Sequence, residues 1–324
     1  MNNEKNNVID ITTNYIGSNV LANPYGVAGF NCTVQEAGYR NNFGVWVQCP
    51  DSKFIVRDDN GQPFKAVGND YQLVQHSQAF ETAERIIANS DIDTSDMIKD
   101  FTTSHDGARA FASYRFPMHR EEVRLNDTVE LQLKVRNSID GSMRFAIEYG
   151  ALRLACLNGM TALGTVGKFK RKHTKYLNIN DAVEPLSNVI ELYNNSVDVW
   201  KKFTGRPVTD TEAIVLIADA VGTKEIAKHI KNNIAGKFNN DVEYLLWDKQ
   251  LSRAYQVKDV WAEYKKYRSD LGSNLWAVYN AMTHWSSHYD AYKESSQKNI
   301  ESIKNDRSQA VAKTTDSLLL EMVA

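Results

Sequence analysis

Hydrophobic and polar residues alternate most strictly between Ala110 and Tyr149. Val129, Leu131, Leu133 and Val135 are interleaved with Glu130, Gln132, Lys134 and Arg136, and Met143, Phe145, Ile147 and Tyr149 with Arg144, Ala146 and Glu148. Just upstream, Ala110, Ala112, Tyr114 and Phe116 share a face opposite Phe111, Ser113 and Arg115. A period of two predicts three antiparallel strands, each with one buried face, and Ile139–Ser142 (IDGS) reads as a hairpin turn. The polar side of this sheet carries Arg109, Arg115, Lys134, Arg136 and Arg144, and is expected to be wet.

The pattern is weaker on either side. The first 40 residues are rich in Asn, Gly and Thr and read as an arm. Short strands are predicted at Val45–Val47, Phe54–Val56, Pro63–Val67 and Tyr71–Val74, with Asp58–Gly61 as a turn. From His76 to Asn89 the spacing of Ala79, Phe80, Ala83, Ile86 and Ile87 predicts a helix that Ser77 could cap. A helix is also expected after the third strand, carrying Arg153 and Asn158. Beyond Tyr176 the period lengthens to three and four. Helices are predicted at 181–202, 211–221, 224–234, 240–253, 258–271 and 274–292, with tryptophans in the core.

The fold class is therefore α+β, an N-terminal antiparallel sheet with packed helices followed by an all-α C-terminal half. The expected organisation is an arm over 1–40, a sheet-helix domain over 41–178, a helical domain over 179–292 and a polar tail over 293–324. That tail ends in the apolar run LLLEMV, a docking helix or an oligomer contact.

At 324 residues, 42% hydrophobic and 24% charged, the composition is that of a globular protein with a sizeable core. Cys32, Cys49 and Cys156 are far apart and form no CxxC, so reduced thiols and a cytoplasmic setting are expected. No apolar run reaches the length of a membrane span, and no signal peptide is read at the start.

The net charge is only −2, yet from Tyr149 to Asn180 there is no Asp or Glu. Arg153, Lys168, Lys170, Arg171, Lys172 and Lys175 fall in that stretch. Local positive charge on a near-neutral chain suits a polyanion, although a solvated lysine-rich loop gives the same pattern. Phe169 and Tyr176 interleave with the cations, as in sites where lysine meets phosphate and a ring stacks on a base. The candidate nucleic-acid-binding set is Arg136, Arg144, Arg153, Lys168, Phe169, Lys170, Arg171, Lys172, Lys175 and Tyr176.

Four segments together, FTTSHDGARA, VRNSIDGS, YGALRLACLNGM and NLWAVYNAMTHWSSHY, resemble the phage/plasmid-like family known as domain of unknown function 932. The resemblance runs from about Asn69 to His288. It implies bacteriophages, plasmids and integrated elements as the setting, and no activity. The order helix, three antiparallel strands with Asp-Gly turns, then a basic helix is also similar to the core of single-strand annealing recombinases such as RecT and Redβ. That similarity implies a positively charged groove for single-stranded DNA and assembly into rings or filaments.

Enzyme signatures are missing. There is no GxxxxGK[ST], GxGxxG or GxSxG. His284 and His288 have metal-ligand spacing but no HExxH glutamate, and packing beside aromatics accounts for them. Cys156 reads as a small core residue and Asp106 as turn chemistry. No catalytic residue, metal or cofactor is expected. The expected function is single-stranded DNA binding, extending to strand annealing, by a homo-oligomer in the host-cell cytoplasm. The alternative is a non-catalytic phage or plasmid protein that binds a host protein. A nuclease comes last.

Overall fold

Two antiparallel sheets and a set of helices make up the computed structural model, which describes residues 23–161, 167–222, 224–234, 254–288 and 299–323. The first sheet has β1 (Cys32–Arg40), β2 (Trp46–Arg57) and β3 (Pro63–Gly68) in that order. β1 falls in the stretch expected to be an arm. Most of its side chains are exposed, so no buried face imposes an alternation on it. Asn41 turns β1 into β2, its Oδ1 accepting from the N–H groups of Phe43 and Val45 at 3.0 Å. The predicted turn at 58–61 joins β2 to β3, with Gly61 at φ +70°. Tyr71–Val74 is not a strand; only an isolated bridge from Tyr71 to Thr174 forms there.

Helix α1 (His76–Ala88) follows, and Gln75 rather than Ser77 precedes its first turn, its N–H donating to Gln78 Oε1 at 3.0 Å. The second sheet lies mid-chain. It runs β4 (Ile98–Ser104), β5 (Arg109–Arg124), β6 (Asp127–Ser138), β7 (Phe145–Arg153) and β8 (Asn158–Thr161), and β9 (Lys168–Arg171) also pairs with β7. The three alternating segments are β5, β6 and β7. β5 outruns its alternating part because the register shifts between Phe116 and Arg120, which accommodates Pro117, a residue with no N–H to give to a ladder.

The helix expected at Arg153–Asn158 is absent. β7 instead ends at Arg153, a tight turn reverses the chain at Leu157, where φ is +54°, and β8 returns antiparallel with Arg153 opposite Asn158. Every residue of β7 is buried, on both faces, so Ala151–Arg153 carry no strand period, and Leu154–Leu157 form the turn.

The predicted apolar face, from Ala110 through Leu131 and Leu133 to Ile147 and Tyr149, packs on α1 and on α3 (Val189–Gly205). Tyr193 of α3 donates to Val129 O at 3.0 Å. A short α2 (Val183–Leu186) precedes α3. Next come α4 (Asp210–Val221), α5 (Lys224–Ile234), α6 (Ala254–Leu271), α7 (Leu275–Ser287) and α8 (Ile300–Val323). Thr209 and Glu212 form a capping box at the start of α4. Trp200, Trp261 and Trp276 are buried, with Trp200 and Trp276 rings 6.5 Å apart. The predicted helix at 240–253, with Trp247, lies outside the described residues, as does the arm before residue 23.

The polar sheet face is covered in part rather than wet throughout, with Arg136 and Glu148 buried and Arg144 exposed. α8 crosses it: Ser302 Oγ meets Ser104 Oγ at 3.0 Å and takes a bond from Arg109 Nη1 at 2.9 Å, and Gln309 reaches Arg136 and Glu148. From Ile300 to Val323 the polar tail is thus a helix docked on the middle of the chain, and its end includes LLLEMV. No described helix is long and apolar enough to cross a membrane.

Candidate functional site

Pairing of β9 on β7 sets Phe145 opposite Arg171, Ala146 opposite Lys170 and Glu148 opposite Lys168. Arg144, one residue before β7, is thereby brought beside the Lys168–Lys172 cations although it is distant in sequence. Arg144, Lys170, Arg171, Lys172, Lys175 and Tyr176 are exposed and Lys168 is half-buried. Tyr176 stands 83% exposed, with the Lys175 ammonium 5.3 Å from its ring centre. Lys175 also pairs with Asp70 at 3.2 Å across a solvated gap. Burial, then the positive charge of Arg136, lowers the pKa of Lys170, with Arg144 and Lys168 adding to the effect. Its Nζ donates to Gln309 Oε1 at 3.1 Å.

Three of the ten predicted binding residues are not on this surface. Phe169 is 5% exposed and packs edge-on against Phe145, because alternation along β9 turns it to the core while Lys168 and Lys170 face the other way. It stacks on no base; Arg171 covers its ring from outside at 4.7 Å. Arg136 is buried in a pair with Glu148 at 2.6 Å. Arg153 is buried against Asp127 at 2.5 Å. In both cases a carboxylate inside the fold takes the guanidinium that phosphate was expected to take.

Asp127 was not anticipated as a partner. It accepts two bonds from Arg153 and a third from the Trp276 indole N–H at 2.8 Å. Burial works against the charge on Arg153, yet Asp127 outweighs it and the guanidinium pKa rises. Asn158 likewise joins the two distant motifs, donating to Asn280 O at 3.2 Å and to Tyr267 OH at 3.1 Å. His288 Nε2 lies 2.9 Å from Cys156 O, and His284 Nδ1 lies 3.1 Å from Tyr267 OH. Burial, then the neighbouring His288, lowers the pKa of His284. No group of three metal-binding side chains occurs among the described residues. Cys156 is half-exposed rather than in the core, with Arg153 Nη1 3.2 Å from its sulfur. Leu157 is exposed as well.

The segments RLACLNGM and NLWAVYNAMTHWSSH therefore meet as one packed junction. A family model described as Domain of unknown function (DUF932) matches residues 63–311. The chain belongs to that family. No curated protein and no solved structure matches it. Membership of DUF932 brings no activity with it, and the order of elements likened to single-strand annealing recombinases is not met at its end, where β8 and β9 stand in place of the expected basic helix.

Proposed function

We propose that this DUF932 protein binds single-stranded DNA along the cationic rim of the β7–β9 edge. The observation that carries the reading is the β9–β7 pairing, which gathers Arg144, Lys168, Lys170, Arg171 and Lys172 on one edge with the exposed Tyr176 at its end. Cations at this spacing neutralise successive phosphates, and a free ring offers a face to a base. Annealing would need the rim repeated in a homo-oligomer, many weak contacts adding along the strand.

Fluorescence anisotropy with single- and double-stranded oligonucleotides at several salt concentrations tests the reading. Binding should favour the single strand and weaken with salt, with about 0.7 in the log–log slope for each phosphate contact. Replacing Lys168, Lys170, Arg171 and Lys172 by Ala should flatten that slope by up to roughly 3. An absence of binding at low salt would sink it.

One observation favours the second reading, a protein partner. The β1–β2 hairpin tip exposes Tyr39, Val45, Trp46 and Phe43, the last 90% exposed. Exposed apolar clusters of this kind mark contact surfaces.

A further inference from the structure

A cavity of about 320 Å³ lies between the polar sheet face and α8. Charges line it in both signs, and most cancel. Arg136 is taken by Glu148 at 2.6 Å and Lys304 by Glu301 at 3.2 Å. Asp100 is exposed at the rim. Lys134 is left over. No hydrogen bond or ion pair reaches its Nζ from the described residues, and burial lowers its pKa despite Glu148 and Glu301 nearby. Beside it on the same strand face, Gln132 is buried and gives its Nε2 to Ser113 Oγ at 2.5 Å, while its Oε1 has no partner. Lys134 is half-buried and lines the cavity without a partner among the described residues, and the orphaned Gln132 oxygen carries a desolvation cost that a ligand would remove.

The family motif supplies the space. A Cβ on Gly159 would stand 2.8 Å from Lys134 Nζ, so the glycine of RLACLNGM leaves the ammonium room to point into the cavity. Ser287 of α7 fixes the Gly159 N–H at 2.9 Å.

The two free groups specify a ligand. Lys134 wants an anionic acceptor and Gln132 Oε1 wants a donor. A phosphate monoester carries both, oxygens for the ammonium and, when singly protonated, a P–OH for the carbonyl. Sulfate, carboxylates and the phosphodiester backbone lack the donor. We propose that Lys134, Gln132 and Gly159 form a binding site for a phosphate monoester under α8. The site is separate from the cationic rim and does not depend on it. The phosphate can come from free inorganic phosphate or from the end of a nucleotide.

Thermal unfolding of the full chain, at matched ionic strength, tests the site with chloride, sulfate, inorganic phosphate, thymidine and thymidine 5′-monophosphate. Inorganic phosphate should raise Tm by a few degrees and sulfate by clearly less. A larger rise with the nucleotide, and none with thymidine, identifies the nucleotide as the source; a rise with inorganic phosphate alone identifies the free ion. Lys134→Met should abolish the rise. Its own Tm should stay close to that of the unaltered chain, since the half-buried ammonium makes no hydrogen bond or ion pair with the described residues. Gly159→Ala keeps every charge and should weaken the effect by crowding Nζ, which covers the case in which Lys134→Met fails to fold. No phosphate effect, or an equal one in Lys134→Met or Gly159→Ala, would overturn the proposal. Sulfate acting as well as phosphate would overturn the role of Gln132.

Discussion

Asp127 holds Arg153 through two parallel hydrogen bonds, Nε to Oδ1 at 2.5 Å and Nη2 to Oδ2 at 2.9 Å, inside the protein. Removing one partner of such a pair leaves the other charge buried and alone. Arg153→Ala should therefore cost about 3–5 kcal/mol of stability in urea unfolding. The double variant with Asp127→Ala should cost less than the two single losses added together. If Arg153→Ala melts like the unaltered protein and only DNA binding falls, the pair is not structural.

Phe169 and Tyr176 divide core from surface within one basic segment. Phe169→Ala should lower stability by about 3–5 kcal/mol, as for other buried aromatics. Tyr176→Ala should leave the melt unchanged and weaken single-strand binding by about 1–3 kcal/mol. Paired unfolding and anisotropy curves for the two variants check both statements; a reversal of the two effects would contradict the orientation of β9.

His76 makes the fold acid-sensitive. Its Nε2 faces Gly107 O at 2.9 Å and its Nδ1 faces the Asn137 amide nitrogen at 3.1 Å, an arrangement that suits the neutral ring with its proton on Nε2. Burial pushes its pKa down from 6.5 to about 4. The unfolded chain thus binds the proton more readily. Stability from this group is complete above pH 6.5 and is lost as pH falls toward 4, by about 3 kcal/mol in all. Unfolding at pH 7 and pH 5 should show the loss, and His76→Gln should show less of it. An equal loss in the variant would place the acid sensitivity elsewhere.

A homo-oligomer is the expected state if the rim anneals strands. Light scattering with and without single-stranded DNA should give a multiple of the chain mass. A monomer under both conditions would leave simple binding and remove annealing by a repeated groove.

Strands β5, β6 and β7 were readable because a core face and a polar face impose a period of two. β8 and β9 were not, since each has only four residues and β7 buries both faces. The fate of Arg136 had a visible signal. Counting outward from the Ile139–Ser142 turn puts Glu148 opposite Leu133, a polar residue against an apolar one; a shift of one residue restores the match of faces and sets Glu148 opposite Lys134 and diagonal to Arg136, the register that the structure has. The Asp127–Arg153 pair had a weaker one, because Asp127 also suits a turn. Nothing in the local pattern announces that α8 covers the polar face. Between 300 and 309 only Ile300 and Ile303 are apolar, too few for an amphipathic stripe that would reveal a docking surface.

The bond between Ser104 and Ser302 spans almost two hundred positions of chain. A ribosome delivers the sheet long before it delivers α8, and domains generally fold from the N-terminus as they emerge. Arg109, Arg136 and Glu148 must therefore wait in water with one side of their sheet bare, and this face can tolerate the delay because it is charged. An apolar face left open for the same interval would invite aggregation, so the polarity of the covered surface suits the order of its manufacture.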